Sequence, residues 1–408
     1  LICNDDGVSD VLTGVWAELV GQEKAVEVLR RAVESQPKRS SHAMSHAWLI
    51  TGPPGSGRSN AAKSFAAALQ CVDHGCGRCN ACRTALSGAH PDVTLVRTEA
   101  LSIGVDEVRE LVRRAAMNPV HGRHQVVVVE DADRITERGG DALLKAIEEP
   151  APKTVWLLCA PTPEDVIVTI RSRCRRLHLA TPRDEAVADL LTCRDGIAPE
   201  VAAEAVRAGQ GHIGRARRLA WDEEARTRRN AIGELPTRLR SLGDCLQAAE
   251  DLVTQAREEA AAATAEVDAA ERADLEKALG FGSSGARPRN AQAAIRDLEK
   301  QQSARLKRLQ RDALDRVLTE LTAYHRDVLA IQIGAVRLEE NALRGARLVN
   351  SGWSASLHRV ADSQNPEHTV ATIDAILEAR KSLEHGVAPL LVMETLLIAM
   401  TGADHARW

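Results

Sequence analysis

The sequence predicts a parallel α/β domain followed by an all-helical C-terminal half. Three observations carry that expectation. An apolar run enters a glycine-rich turn and then a helical stretch, His46–Leu69. Short apolar runs alternate with helical periodicity as far as residue 180. After Thr227 the texture changes: Ala, Leu, Glu and Arg dominate and strand patterns end.

With 408 residues the chain is long enough for about two to four domains. Its 44% hydrophobic and 27% charged content is that of an ordinary globular protein, with aromatics at only 2%, so the core must be Leu, Val, Ile and Ala. A formal net charge of -4 argues against general affinity for nucleic acid and leaves only local or assembly-borne contacts. No apolar run approaches the ~20 residues of a bilayer span, so no membrane role is expected. The opening LICNDDGVSDVLTG matches neither a secretory signal nor a transit peptide. Nine cysteines in that context point to a reducing, cytoplasmic compartment and to a metal or buried thiols rather than disulfides.

Taken in order, Asp5–Val20 reads as an extended lead-in and Gly21–Ala32 as an amphipathic helix, with Val26, Leu29 and Val33 at helical spacing. Gln36–Ser45 is a polar connector. Ala47–Ile50 is a strand that runs into GPPGSGRS, Gly52–Ser59. Strand, glycine turn and helix is the layout in which backbone amides cradle phosphate, with Gly52, Gly55 and Gly57 letting the chain curl around an anion. A lysine usually precedes the final Ser or Thr; here Arg58 precedes Ser59. A P-loop is therefore predicted with ATP and Mg²⁺ binding left open.

Cys71, Cys76, Cys79 and Cys82 follow within CVDHGCGRCNAC. Four sulfurs this close, with Gly75 and Gly77 allowing tight turns, suit one tetrahedral structural zinc in a knuckle over 71–82, with a redox centre or Fe–S cluster as the alternative. His74 reads as a loop residue. Val93–Val96 is a strand and Ser102–Met117 a helix closed before Pro119. Gln125–Val129 is a continuous apolar strand ending in Glu130-Asp131, carboxylates at the end of a buried strand where a metal and a base are usually held. A charged cap on a core strand is the plainer reading. Asp141–Glu149 is a helix stopped by Pro150, Thr154–Cys159 a buried strand, and Leu177–Leu179 the strand that closes the sheet. Between the last two, TIRSRC carries Arg171 and Arg173 beside Arg175 and Arg176. This is either a solvated basic turn or a source of positive charge for a neighbour's γ-phosphate.

Beyond Asp184 short helices form a lid-sized unit. Leu246–Leu279 is alanine-rich and acidic, Gly280–Pro288 a break, and the following arm basic, which suggests an antiparallel hairpin. A solvated stripe and a DNA-binding arm are the alternatives, the latter weakened by the lack of aromatic stacking groups. Arg311–Leu338, Val370–Leu383 and Ala388–Met400 complete a helical bundle.

Taken together, Gly21-Gln22-Glu23, HAWLITGPPGSGRS, the four-cysteine knuckle, His90-Pro91-Asp92, VVVVEDAD, LLKAIEEP and Ser172-Arg173-Cys174 resemble the delta-prime subunits of bacterial DNA polymerase III clamp loaders, actinobacterial in flavour, within the AAA+ family. The resemblance is close over 15–180, moderate in the lid and weak beyond 245. It implies a AAA+ domain at 1–180, a helical lid at 181–243, and an all-α collar domain at 244–408 with an insertion at about 250–311. It also implies gamma/tau and delta subunits as partners, a sliding clamp, primer-template DNA met through the complex, and Arg173 supplied in trans to a neighbour's ATP. Four departures separate the chain from motor subunits. They are Arg58, the order Glu130-Asp131, Cys159-Ala160-Pro161 where a polar pair is expected, and Gly211-His212-Ile213-Gly214 where an arginine is expected unless Arg215 substitutes. The resemblance thus implies a non-hydrolysing subunit. An active gamma/tau-like ATPase and a nucleic-acid-binding repair factor are the rivals, and no polymerase chemistry is expected.

Overall fold

A computed structural model of the chain describes residues 12–35, 44–98, 102–279, 291–336 and 348–401. Contacts divide it between Trp221 and Asp222 into two compact units.

The first unit is built on five strands: β1 (Ala47–Thr51), β2 (Val93–Val96), β3 (Gln125–Val129), β4 (Thr154–Ala160) and β5 (Arg175–His178). Their spatial order is β2-β3-β4-β1-β5, and every pairing is parallel. Parallel strands need crossovers, and helices supply them on both faces. They are α1 (Glu23–Glu34), α2 (Arg58–Gln70), α3 (Asn80–Ser87), α4 (Val105–Ala115), α5 (Glu137–Glu148) and the single turn α6 (Val168–Arg171). Because side chains alternate along a strand, each strand feeds two cores. Trp48, Ile50, Val126, Val128, Leu157 and Cys159 pack with α1 and α2; Leu49, Val127, Val129, Trp156 and Leu158 pack with α4 and α5. That two-sided burial explains why the strands read as continuous apolar runs. The alanines of α2, with Ala61, Ala62, Ala66, Ala67 and Ala68 all fully buried, let it lie close against the sheet.

Three features differ from expectation. The described part of the lead-in is not extended but makes a 3₁₀ turn at Gly14–Trp16 that buries Val15, Trp16 and Leu19. The fifth helix starts at Glu137 rather than Asp141, because the Thr136 side chain accepts from the Gly139 amide and caps it there. The edge strand begins at Arg175, two residues early, paired to Trp48. The lid-sized helices α7 (Asp184–Asp189), α8 (Pro199–Gly209) and α9 (Ile213–Trp221) complete this unit.

The second unit is all-helical: α10 (Glu223–Arg238), α11 (Leu242–Ala278), α12 (Ala291–Gln332), α13 (Ser354–Ser363), α14 (Pro366–Glu384) and α15 (Pro389–Met400). Its core joins Cys245, Ala249, Ala256, Leu314, Leu318, Leu321, Ile376, Met393 and Leu397. Arg305 pairs with Asp268 at 2.7 Å and Glu271 at 2.8 Å, Arg316 with Glu259 at 2.7 Å and Arg272 with Glu299 at 3.6 Å. Advancing along α11 means retreating along α12, so the pair is an antiparallel hairpin. Its helices continue unbroken into the bundle: Ala256 and Ala313 sit in the core, so a 250–311 segment has no structural seam at either end. The break expected at 280–288 lies outside the described residues. Among the described residues no helix is long and apolar enough to cross a membrane.

Candidate phosphate cradle, metal centre and exposed arginine

The predicted nucleotide-site residues follow the C-terminal ends of β1 and β3, with Arg58 and Ser59 opening α2. Gly55 and Gly57 adopt positive φ, +80° and +91°, which side chains with a Cβ resist; Gly57 is the N-cap from which α2 starts. The Gly52 amide donates to the Pro161 carbonyl at 3.1 Å, tying the loop to the end of β4. One guanidinium nitrogen of Arg58 and the Ser56 hydroxyl are buried without a hydrogen-bond partner within the chain. Buried donors normally find partners. A bound anion or water would supply one here, so the loop fits a phosphate.

Glu130, at the end of β3, is held at 2.7 Å by Lys63 of α2. Asp131 starts the 3₁₀ turn Ala132–Arg134. The Asp133 carboxyl is pushed up, chiefly by burial. A carboxylate already neutralised by a lysine is poorly placed to polarise water.

Gln22, read in sequence as part of a helix start and of the Gly21-Gln22-Glu23 motif, joins three segments. Its Nε2 donates to the carbonyls of Ser56 (3.3 Å) and Ala180 (2.7 Å), and its Oε1 accepts from the Ala180 amide (3.1 Å). His212 was notable only as a departure from pattern. The structure sets it against the loop: a Cβ on Gly55 would stand 2.2 Å from its Cγ and 2.5 Å from its Cα. Neither contact is legible without the fold, since 158 and 157 positions separate the partners.

The four cysteine sulfurs lie within 4.8 Å of one another. Cys71 is 3.7 Å from both Cys76 and Cys79, the edge of a tetrahedron with metal–sulfur bonds of about 2.3 Å. The amides of Cys76 and Cys82 point at the sulfurs of Cys71 (3.5 Å) and Cys79 (3.4 Å). Backbone amides of Arg78 and Cys79 hold the Cys76 thiol down at about 6, favouring the thiolate a metal takes. Burial pushes Cys82 up. His74 is exposed and outside the cluster. The four sulfurs are capable of holding one metal ion, and their donor set suits zinc.

Arg173 stands two residues beyond α6. Its Nη2 lies 2.7 Å from Glu148 Oε1, and its Nη1 donates to the Thr169 carbonyl (2.9 Å) and the Ser172 hydroxyl (3.1 Å). Both charged side chains are about two-fifths exposed.

A parallel sheet of this order, with a glycine loop after β1 and carboxylates after β3, defines an AAA+-like P-loop domain carrying a four-cysteine cluster able to hold a metal ion. Residues 21–183 match the family described as DNA polymerase III, delta subunit. The chain is 35% identical over 175 residues to the DNA polymerase III subunit gamma/tau of Mycobacterium tuberculosis, covering 41% of this chain and 29% of that protein. It is 37% identical over 158 residues to the delta′ subunit of Pseudomonas aeruginosa (37% and 47%), and 34% over 156 residues to that of Haemophilus influenzae (37% and 48%). Over this stretch the chain is similar to bacterial DNA polymerase III clamp-loader subunits of the gamma/tau, delta and delta-prime group. It spans less than half the length of these relatives.

Proposed function

We propose that the chain is a non-hydrolysing, delta-prime-like subunit of a bacterial clamp loader, which holds its neighbours in register and offers Arg173 to the nucleotide of the adjoining subunit. The carrying observation is a contrast. Arg173 is exposed on a short, well-anchored turn, while the cradle in its own domain has Arg58 for lysine and Glu130 neutralised by Lys63. A guanidinium is a permanently charged, planar donor fork that suits phosphate oxygens. Gamma/tau and delta subunits, a sliding clamp and primer-template DNA are the partners under this reading. Zinc in the knuckle is structural, stiffening a glycine-rich loop with little core of its own.

The rival is a gamma/tau-like motor, favoured by the charge that Arg58 retains in the loop and by Ser59 at the magnesium position. Purified chain is assayed for ATP turnover, then reconstituted with gamma/tau and delta subunits and assayed with clamp and primed DNA. Negligible turnover alone, with stimulation of the assembly that requires Arg173, supports the proposal. Steady turnover alone, lost when Glu130 and Asp131 are changed to Ala, replaces it with the motor.

A further inference from the structure

The glycine loop has a close neighbour from its own chain, His212 against Gly55. α9 begins at Ile213, and His212 is the residue before it. Its backbone is locked on both sides: the His212 amide donates to the Gly209 carbonyl (2.9 Å), and its carbonyl accepts from the Ala216 amide (2.9 Å). Its ring is locked as well, because Nδ1 accepts from the Arg215 amide at 3.2 Å. That bond places the proton on Nε2. The rotamer is therefore set by helix capping, and the ring reaches Gly55 as a fixed object rather than a swinging one.

At Gly55 the approach leaves no room for even a methyl group. Gly55, like Gly57, takes positive φ, and it belongs to the loop whose amides would meet a phosphate. Burial holds the imidazole below its ordinary range, followed by the positive charges of Arg215 and Arg58, so the ring is neutral at neutral pH and lies within the field of the cation that a phosphate would meet. Against this the loop keeps two features of a site: the buried Arg58 nitrogen and the Ser56 hydroxyl, neither satisfied within the chain.

We propose that His212 is the gate of this cradle: nucleoside polyphosphate is admitted only when the start of α9 withdraws the imidazole from Gly55, so the position of the lid-sized helices, rather than the loop sequence alone, sets nucleotide affinity. This rests on reading the loop as a nucleotide site with impaired chemistry. A motor subunit needs its loop open for every turnover; a subunit that serves a neighbour's nucleotide has use for a closed loop that fixes the lid.

The test titrates the full-length chain with a fluorescent ATP analogue and Mg²⁺. Wild type is compared with His212→Asn, which keeps a capping acceptor for the Arg215 amide but withdraws the ring, and with His212→Gly. Metal content and thermal unfolding identify folded variants. At least one folded variant is expected to bind about ten-fold tighter than wild type or better, and adding Arg58→Ala to that variant removes the gain. Equal affinity of wild type and both variants overturns the gate, as does absence of binding in all three. Failure of the non-hydrolysing reading is separate, because it is seen as phosphate release by the isolated chain, which these titrations do not measure.

Discussion

Arg173 Nη2 rests 2.7 Å from the Glu148 carboxylate at the end of α5, while its Nη1 is held by the Thr169 carbonyl. An ion pair this exposed contributes about 0–1 kcal/mol to stability. The pair therefore fixes where the guanidinium sits more than it stabilises the fold, which is what the proposed role in trans requires.

Changing Arg173 to Ala should accordingly leave the melting temperature, metal content and partner assembly of the chain nearly unchanged. Stimulated ATP hydrolysis by the reconstituted complex should fall by about ten-fold or more. Lysine at the position should restore little, since it keeps the charge but loses the fork. An alanine variant that assembles and supports the unaltered rate assigns Arg173 to its local pair alone.

Protein purified without added metal should contain close to one equivalent of zinc by elemental analysis, and Cys76→Ser with Cys79→Ser should abolish it. The loss should spread beyond the knuckle. The Val15 amide donates to the Gly75 carbonyl at 3.0 Å, and Gly14 packs against Cys76. Hydrogen exchange at residues 13–19 should therefore rise in the double variant, while β3 stays protected.

His325 gives a pH signature to the helical unit. It is buried with Nδ1 bound to the Leu321 carbonyl at 2.9 Å, and burial lowers its pKa to about 4. The unfolded chain, with an ordinary value near 6.5, takes up the proton first, so folding carries no penalty above pH ~6.5. Stability should then decline as pH falls toward 4, by up to about 3 kcal/mol. Replacing His325 with Gln should flatten that part of the profile measured by denaturant unfolding; an unchanged slope places the acid sensitivity elsewhere.

The hairpin should be separable, but at a cut well inside the 250–311 segment. Removing 255–305 would take Ala256 from the core. Removing 266–308 and joining the ends by a short Gly-Ser linker removes opposed, outlying stretches, including the Arg305 pairs. That variant should keep a single cooperative transition by circular dichroism, whereas the 255–305 deletion should lose stability.

Local signals were the ones legible in sequence. The strand-loop-helix around Gly52–Ser59 and the cysteine spacing both depend on residues within a few positions of each other, and both stand in the structure where the pattern put them. The strand ends and the start of α5 moved by a few residues, because capping by Thr136 outweighs the apolar period that begins later. Gln22 and His212 showed in sequence only as members of motifs, and what they touch was not legible. Their contacts are distant ones: Gln22 to Ala180 and His212 to Gly55. Where the hairpin leaves its core was not legible, for the opposite reason. A helical period has no marker where a helix leaves its core, and α11 carries alanine on both sides of that point.

The unbroken passage of α11 and α12 out of the bundle has a mechanical consequence. A helix rises about 1.5 Å per residue, so the part of α11 beyond Thr264 stands about 20 Å clear of the last buried position. Because there is no joint at the base, the rod and the bundle rotate as one body. A tilt of about a tenth of a radian in the packing of Leu314 and Leu318 appears as about 2 Å of travel at the far end. The hairpin is thus a lever arm whose fulcrum lies inside a hydrophobic core, and anything that presses on its tip is felt among those leucines.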